Sequence, residues 1–539
     1  MIFMRSAIYI NQLGYSSNTA KRAVCTGSGT GFEVISADSG RTMYAGSLTD
    51  FGYDEASGDN VRIADFSQFN LPGRYYICAG RRRSDVFCIS DRPYTELKNA
   101  MIKAFYFNRC GNALDSGYAG DYSHNTCHSD SAVLYNNRAV SADVSGGWHA
   151  SGNYGRYVTV TCTAIAHMLY AYKLFPGAFP EKGNIPHGGD MPDILCECRH
   201  GLEWLLKMQT RDGGVYHKVC PFGQSAFCLP EDDTAQMYIF PCSHQATAEF
   251  VAVMALASSV YERFDRDFAD LMQSAAFNGW IWLSNNPEYK PFRNAPEVAL
   301  TALGDLPDYN FDDTMFWTVC ELYSMTGEDI FRRRIRELCK SVCLTGFETR
   351  SVGGFGALAY FLSRRSRDIE AERSIGLQFR IQADNLSSLA EKSGYGTAKA
   401  PDDYRIGSNI SILASGITLV CADIILDCKG YADVAAEQFN YVLGKNPMGI
   451  SYVTGFGGRS VTQPHHRPSA FDDVEKPVPG LIVIGANSGR DDDYAKWNIP
   501  KNTPPAKCYC DTGFCYSTNE TSINANSAAL FLAAYYESL

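Results

Sequence analysis

Over its first ninety or so residues the chain alternates short runs rich in β-branched and aromatic residues with clusters of turn formers. Ala7-Ile8-Tyr9-Ile10, Phe32-Glu33-Val34-Ile35, Asn60-Val61-Arg62-Ile63, Arg74-Tyr75-Tyr76-Ile77 and Asp85-Val86-Phe87-Cys88-Ile89 each have the length and make-up of a strand. Asp38-Ser39-Gly40 and Leu71-Pro72-Gly73 supply the turns between them. Short strands at this spacing predict a small immunoglobulin-like β-sandwich over residues 1–92, with Asp91-Arg92-Pro93 as its boundary.

Beyond the boundary the period changes. Segments near 95–108, 156–174, 192–209, 243–263, 267–285, 312–326, 328–344, 355–366, 369–390, 408–428, 431–444 and 520–538 read as helices. In one of them Ile410, Leu413, Ile417, Val420 and Ile424 keep the three-and-four spacing of a buried helix face; in another Ile194, Cys198, Leu202 and Leu205 do so. Strands are scarce here, so residues 93–539 are expected to form one all-helical domain, a closed toroid of helical hairpins or an α-solenoid. No internal repeat supports the solenoid. The Gly-, Pro- and aromatic-rich stretches 110–155, 210–242, 286–311 and 446–519 read as long functional loops.

Composition narrows the partners. A chain of 539 residues exceeds what one hydrophobic core serves, and 45% hydrophobic with 20% charged residues is ordinary for globular domains. A formal charge of −11 without long Lys/Arg runs argues against nucleic acid or an anionic membrane as partner, and Arg81-Arg82-Arg83 reads as a solvated turn. No run approaches the roughly 18 consecutive apolar residues of a membrane span. Met1-Ile2-Phe3-Met4-Arg5-Ser6 lacks the layout of a secretory leader. The nineteen scattered cysteines read as reduced thiols, some buried and some on metal. A cytoplasmic location is therefore expected, although a chain trimmed of its leader would read the same way.

The last long loop carries the chemistry. Ser451-Tyr452-Val453-Thr454-Gly455-Phe456-Gly457-Gly458-Arg459 leads to Pro464-His465-His466-Arg467, and then to Tyr509-Cys510-Asp511, Tyr516 and Ser517-Thr518-Asn519-Glu520. Carboxylates flanked by aromatics, with His and Arg donors nearby, suit sugar chemistry. Aromatic faces stack on pyranose rings, and a carboxylic acid in a partly apolar site keeps its proton for a leaving oxygen. Glu520 is expected in the first turn of the final helix, where the dipole lowers its pKa, so burial must outweigh the dipole if it is an acid.

Both stretches match, position by position, the two long signatures of glycoside hydrolase family nine, and the chain resembles that family over essentially its whole length. Asn11-Gln12-Leu13-Gly14-Tyr15 resembles the opening of the immunoglobulin-like domain that often precedes its catalytic module. Phe107-Asn108-Arg109-Cys110-Gly111, Gln209 through Tyr216 and Tyr441-Val442-Leu443-Gly444-Lys445-Asn446-Pro447 are similar to the family as well. The resemblance implies an (α/α)6 barrel with an open cleft for β-1,4-linked glucan or cello-oligosaccharides. It implies hydrolysis with inversion by two carboxyl groups about 6.5–9.5 Å apart. Glu520 would be the acid, with His465, Arg467, Asp511 and Tyr516 shaping the central subsites. Among the tryptophans, Trp148 and Trp317 divide between sugar stacking and core, whereas Trp204, Trp280 and Trp282 fall on helical core patterns. His217 fits either the cleft or a hairpin.

One segment departs from the family. Where the family reads Gly-Gly-Trp-His/Tyr-Asp-Ala-Gly-Asp, with two Asp residues on the nucleophilic water and the second as base, this chain has Gly146-Gly147-Trp148-His149-Ala150-Ser151-Gly152-Asn153. Alanine has no hydrogen-bonding group and an amide cannot take a proton from water. Three readings stay open: a natural member that binds glycan without efficient hydrolysis, an inactivated variant of an active cellulase or exo-glucosidase, or replacement by another carboxylate, Asp143 or Asp511.

Cys110, Cys127, His128 and His149 supply the ligand types of structural zinc, at spacings that match no compact finger. Some relatives with this amino-terminal domain hold zinc at corresponding positions, so the resemblance implies a metal bracing the loop that carries Ala150. The alternative is a buried Cys pair beside a hydrogen-bonded His. Calcium is the second metal the resemblance admits, although Asp491-Asp492-Asp493 reads as a solvated turn.

Overall fold

The computed structural model describes residues 8–186, 190–223, 227–294 and 311–539, so most of the expected loop at 286–311 lies outside the described residues. Nine strands come first: β1 (Ile8–Tyr9), β2 (Gly14–Ser16), β3 (Arg22–Thr26), β4 (Gly31–Ser36), β5 (Thr42–Asp54), β6 (Asp59–Asp65), β7 (Gly73–Ala79), β8 (Arg82–Arg83) and β9 (Phe87–Ser90). They pair in the order β1-β3-β6-β5-β4-β7-β9-β2, with β8 on β7. The long β5 pairs with β4 along its first half and with β6 along its second, joining the two faces of a sandwich. Alternation sets the core: Phe32 and Val34 of β4 point inward with Ile77, Phe87 and Ile89, while Glu33 is exposed.

Twelve long helices follow among the described residues: α1 (Thr95–Phe107), α2 (Val158–Leu174), α3 (Asp193–Lys207), α4 (His244–Tyr261), α5 (Arg266–Asn285), α6 (Phe311–Thr326), α7 (Asp329–Leu338), α8 (Gly353–Leu362), α9 (Ile369–Glu391), α10 (Ser408–Leu426), α11 (Ala432–Val442) and α12 (Ile523–Ser538). The even-numbered helices touch in sequence and α12 returns to α2, closing an inner ring of six; α3, α5, α7 and α1 back α2, α4, α6 and α12 from outside, and α9 and α11 both back α10. This is the (α/α)6 barrel, and it removes the solenoid. Composition follows position. The ring helix α10 is apolar enough by length and hydropathy to cross a membrane, yet it is mostly buried in the barrel. The outer α7 buries only Phe331, Ile335 and Leu338, one stripe of an otherwise charged helix.

The loops hold more structure than their composition suggests. Residues 110–155 and 210–242, expected as loops, contribute to a five-stranded sheet of β10 (Ala132–Leu134), β11 (Asn137–Ala142), β12 (Arg156–Tyr157), β13 (Lys218–Cys220) and β14 (Tyr238–Ile239). This sheet ties the start of α2 to the segment ahead of α4.

The sandwich and the barrel share a polar seam. Asn11 donates to Asn440 Oδ1 at 2.8 Å and Gln12 to the Gly449 carbonyl at 3.1 Å, which explains why these buried positions of the opening motif are amides. Asp59 accepts from Tyr395 at 3.1 Å and from Lys507 at 2.7 Å, so the sandwich supports the chain just ahead of the loop that carries Asp511 and Glu520.

Candidate active site

The starts of four ring helices meet at one mouth of the barrel. Ala150, Tyr157, Glu348, Arg405, Gly407 and Ser522, from the segments leading into α2, α8, α10 and α12, line a common cavity of about 130 Å³.

The segment Gly146–Tyr157 is anchored from below. Trp148 is wholly buried, its indole N–H donating to Glu197 Oε1 at 2.7 Å and its ring lying edge-on to Phe105. It therefore does not stack on sugar. Trp317 is buried equally deeply, with its N–H on Glu321 Oε1 at 3.1 Å, and it too belongs to the core. Glu197 also takes both arms of Arg109, at 3.1 and 2.7 Å. Replacing it with alanine would leave a guanidinium and an indole N–H under the site without their acceptor. Glu197→Ala is expected to cost about 3–5 kcal/mol of stability, read by denaturant titration.

Above this anchor the His-x-Arg loop and the acid loop close on Gly152. A Cβ at Gly152 would lie 1.9 Å from the His465 carbonyl oxygen, so only glycine lets the two segments approach. Arg467 is buried and donates to the Gly152 carbonyl at 2.8 Å; Arg467 N–H reaches the same oxygen. His465 Nδ1 lies 2.6 Å from the Gly513 carbonyl, which makes it the protonated nitrogen, and burial holds the ring's pKa down to about 4. Its ring adjoins Tyr516 and the half-exposed Phe227, on which the Arg467 guanidinium also rests.

Glu520 lies at the centre and precedes the final helix instead of entering it. Its backbone is extended, and Ser522 caps α12 two residues later. The dipole argument for a lowered pKa therefore does not apply. Burial raises the Glu520 pKa to about 7, against the opposing effects of Ser151, Arg467, Asn153 and the Gly152 N–H. Glu520 is buried, and its Oε2 has no hydrogen-bond partner among the described residues. Asn153 Nδ2 lies 3.4 Å from Glu520 Oε1 and 2.9 Å from Ser151 Oγ. Ala150 faces the cavity and offers it a methyl group alone.

Other expected residues are placed differently. Asp511 accepts from Thr462 N–H and Oγ, Gln463 N–H and Asn519 Nδ2. With its lone pairs on four protein donors it braces two loops; it neither binds sugar nor serves as a base. Asp143 lies at the surface on Ser145 and Lys207, whose hydrogen bonds hold its pKa at about 2, too low for a general base. His217 is buried, bonded to Ser243 and stacked on Phe292 in the hairpin. Glu197 and Ser151 were missed by sequence reasoning. Glu197 had a signal, since a carboxylate on the apolar stripe of α3 is a buried, paired one.

Beside the site, one donor atom each from Cys110, Cys127, His128 and His149 lies within 4.8 Å of the others. Among the described residues, His128 Nδ1 and His149 Nε2 are buried without hydrogen-bond partners, a costly state for imidazole nitrogens unless they face an ion. His128 Nε2 sits 3.3 Å from Asp233 Oδ2, the outer carboxylate that orients a metal-bound imidazole. His128 also holds a positive φ of 44°, a local strain of the kind that marks ligand clamps. The residues present fit a tetrahedral metal. Asp491, Asp492 and Asp493 are occupied instead by Asn487, by the backbone of Ala495 and Ser517, and by Lys496.

A ring of six helices that presents a buried carboxyl of raised pKa beside His and Arg at its mouth defines a helical-barrel glycosidase. Residues 94–533 match the model of glycosyl hydrolase family 9 and residues 4–84 that of the cellulase N-terminal ig-like domain. The chain belongs to glycosyl hydrolase family 9. It is 36% identical to a cellodextrinase of Butyrivibrio fibrisolvens over 97% of this chain and 98% of that one. It is 31% identical to a xyloglucan-specific endo-β-1,4-glucanase of Bacteroides ovatus over 100% and 95%. A single mutant of a thermostable endoglucanase from Alicyclobacillus acidocaldarius superposes with a TM-score of 0.92 at 30% identity, covering 99% of this chain and 100% of that one.

Proposed function

We propose that this protein binds β-1,4-linked gluco-oligosaccharides at the barrel mouth and presents Glu520 to the glycosidic oxygen as an acid. Hydrolysis is slow, because Ala150 and Asn153 stand where the family carries its water-activating carboxylates. The observation that carries this reading is the Asn153 amide 3.4 Å from Glu520. Inverting chemistry needs a base and a water held across about 6.5–9.5 Å from the acid. Here an amide that cannot accept the proton closes that gap. The similarity to a cellodextrinase supports short oligosaccharides as the substrate class. The same amide contact favours, as a second reading, a glycan-binding protein without turnover.

Cellotetraose titrated calorimetrically into the full chain is expected to bind saturably while product accumulates slowly. A well-folded chain that shows no saturable binding would contradict both readings; binding with no product selects the second.

Cys110, Cys127, His128 and His149 would hold a structural zinc, which would fix the turn between His149 and Asn153. Metal analysis is expected to return about one zinc per chain, and chelation to lower the Tm. Zinc-free protein with the same Tm would contradict this assignment.

A further inference from the structure

Residual hydrolysis with Ala150 and Asn153 in place needs a base, and the cavity at the mouth contains a carboxylate outside the family motifs. Glu348 lines the same cavity as Ala150 and Ser151. It sits in a tight turn closed in both directions, Glu348 N–H to the Ser351 carbonyl at 2.9 Å and Ser351 N–H back to the Glu348 carbonyl at 2.7 Å. The next residue, Thr349, is bonded through its hydroxyl to the Asn524 amide. The start of α12 is in turn fixed to the altered segment, since Ile523 N–H donates to the Ala150 carbonyl at 3.2 Å and Ser522 pairs with Ser151. A continuous chain of hydrogen bonds therefore holds Glu348 in register with Ala150, and Ser151 connects this cavity to Glu520.

The Glu348 carboxylate itself makes no hydrogen bond or ion pair among the described residues; Lys399 and Arg350 act on it through space. Half-buried, it has its pKa raised by that burial, against those two charges. The other cavity acid, Asp403, is exposed. A cavity of about 130 Å³ has room for water beside Ala150, which offers no hydrogen-bonding side chain.

We propose that Glu348 is the general base for the residual hydrolysis, acting on a water held in the cavity beside Ala150. The inference rests on the assignment of Glu520 as the acid. The water gives a proton to the Glu348 carboxylate as its oxygen bonds to the anomeric carbon. The C1–O glycosidic bond breaks, and the leaving oxygen takes the proton of Glu520.

The test compares the full chain with Glu348→Gln and Glu348→Asp, measuring cellotetraose binding and turnover together. Glu348→Gln is expected to lower turnover about 10²–10⁴-fold and to leave binding within about twofold, while Glu348→Asp keeps part of the rate. Added azide, which needs no base, should restore turnover in Glu348→Gln and yield the α-glycosyl azide, a product that a purely structural role would not give. The proposal is overturned if Glu348→Gln turns over at the parent rate, if Asp403→Asn alone abolishes the rate, or if the parent binds cellotetraose without any turnover. In those cases the oligosaccharide-binding reading stands. Failure of the parent to bind removes that reading and this proposal together.

Discussion

Cellotetraose turnover is expected to rise by about 10²–10⁴-fold when both carboxylates are restored, as Ala150→Asp with Asn153→Asp, the range that a positioned general base contributes. The site can accept both. Ala150 borders the cavity although it is itself buried, so an aspartate there lies between the core and the cavity. At 153 the amide now lies against Glu520, and a carboxylate in its place would be pushed away by any charge on the acid, reopening the gap for water. The same repulsion raises the Glu520 pKa further and keeps its proton available. Asn153→Asp alone should recover most of the gain, because the family pattern makes that position the base and position 150 a second hold on the water. A revertant that binds cellotetraose but shows no gain would mean that the mouth has changed beyond these two residues.

Glu520→Gln in the revertant should lower kcat by about 10²–10⁴-fold and leave binding largely intact, since a glutamine keeps the shape and loses the proton. The pH profile carries the sign. Burial raises the pKa of Glu520 from its ordinary value to about 7, so the acid is protonated below that and activity should fall as pH rises through it. Stability follows the same proton. The native chain binds it more tightly than the unfolded one, so this residue's contribution is complete below the ordinary glutamate range and is lost as pH rises toward about 7. Denaturant titrations across that window should show a decline that Glu520→Gln removes. An unchanged alkaline limb in Glu520→Gln would place the acid elsewhere.

The helices were legible because burial leaves a period. Ring helices such as α10 are mostly apolar and mostly buried yet keep a three-and-four spacing, and outer ones such as α7 show a single stripe. The strands of the small sheet were not, because two- to six-residue segments such as Arg156–Tyr157 are too short to show alternation and are fixed only by distant partners. β5 escaped notice for another reason: most of it faces solvent, so its thirteen residues carry no apolar stripe. In the site, Glu520, His465 and Arg467 could be found from motif alone, and the structure brings them to one place through Gly152. The tryptophans could not be placed that way. Trp148 depends on a glutamate 49 residues away, a pairing with no local signal. Trp317 did have one, since Glu321 lies one helical turn on, and a carboxylate at that spacing on a ring helix marks a satisfied indole. Glu348 belongs to no motif, and only the folded chain connects it with Ala150, through the shared cavity and the hydrogen bonds of Thr349, Asn524 and Ile523.

The proposed function requires Glu520 to act as an acid in single displacement beside Ala150 and Asn153. The most direct measurement is a proton NMR time course of cellotetraose cleavage by the Ala150→Asp, Asn153→Asp chain. It is read at the anomeric signals before mutarotation. The α-anomer appearing first, far faster than with the parent chain, is the predicted result. The β-anomer first, or no product from oligosaccharide that is demonstrably bound, would contradict it.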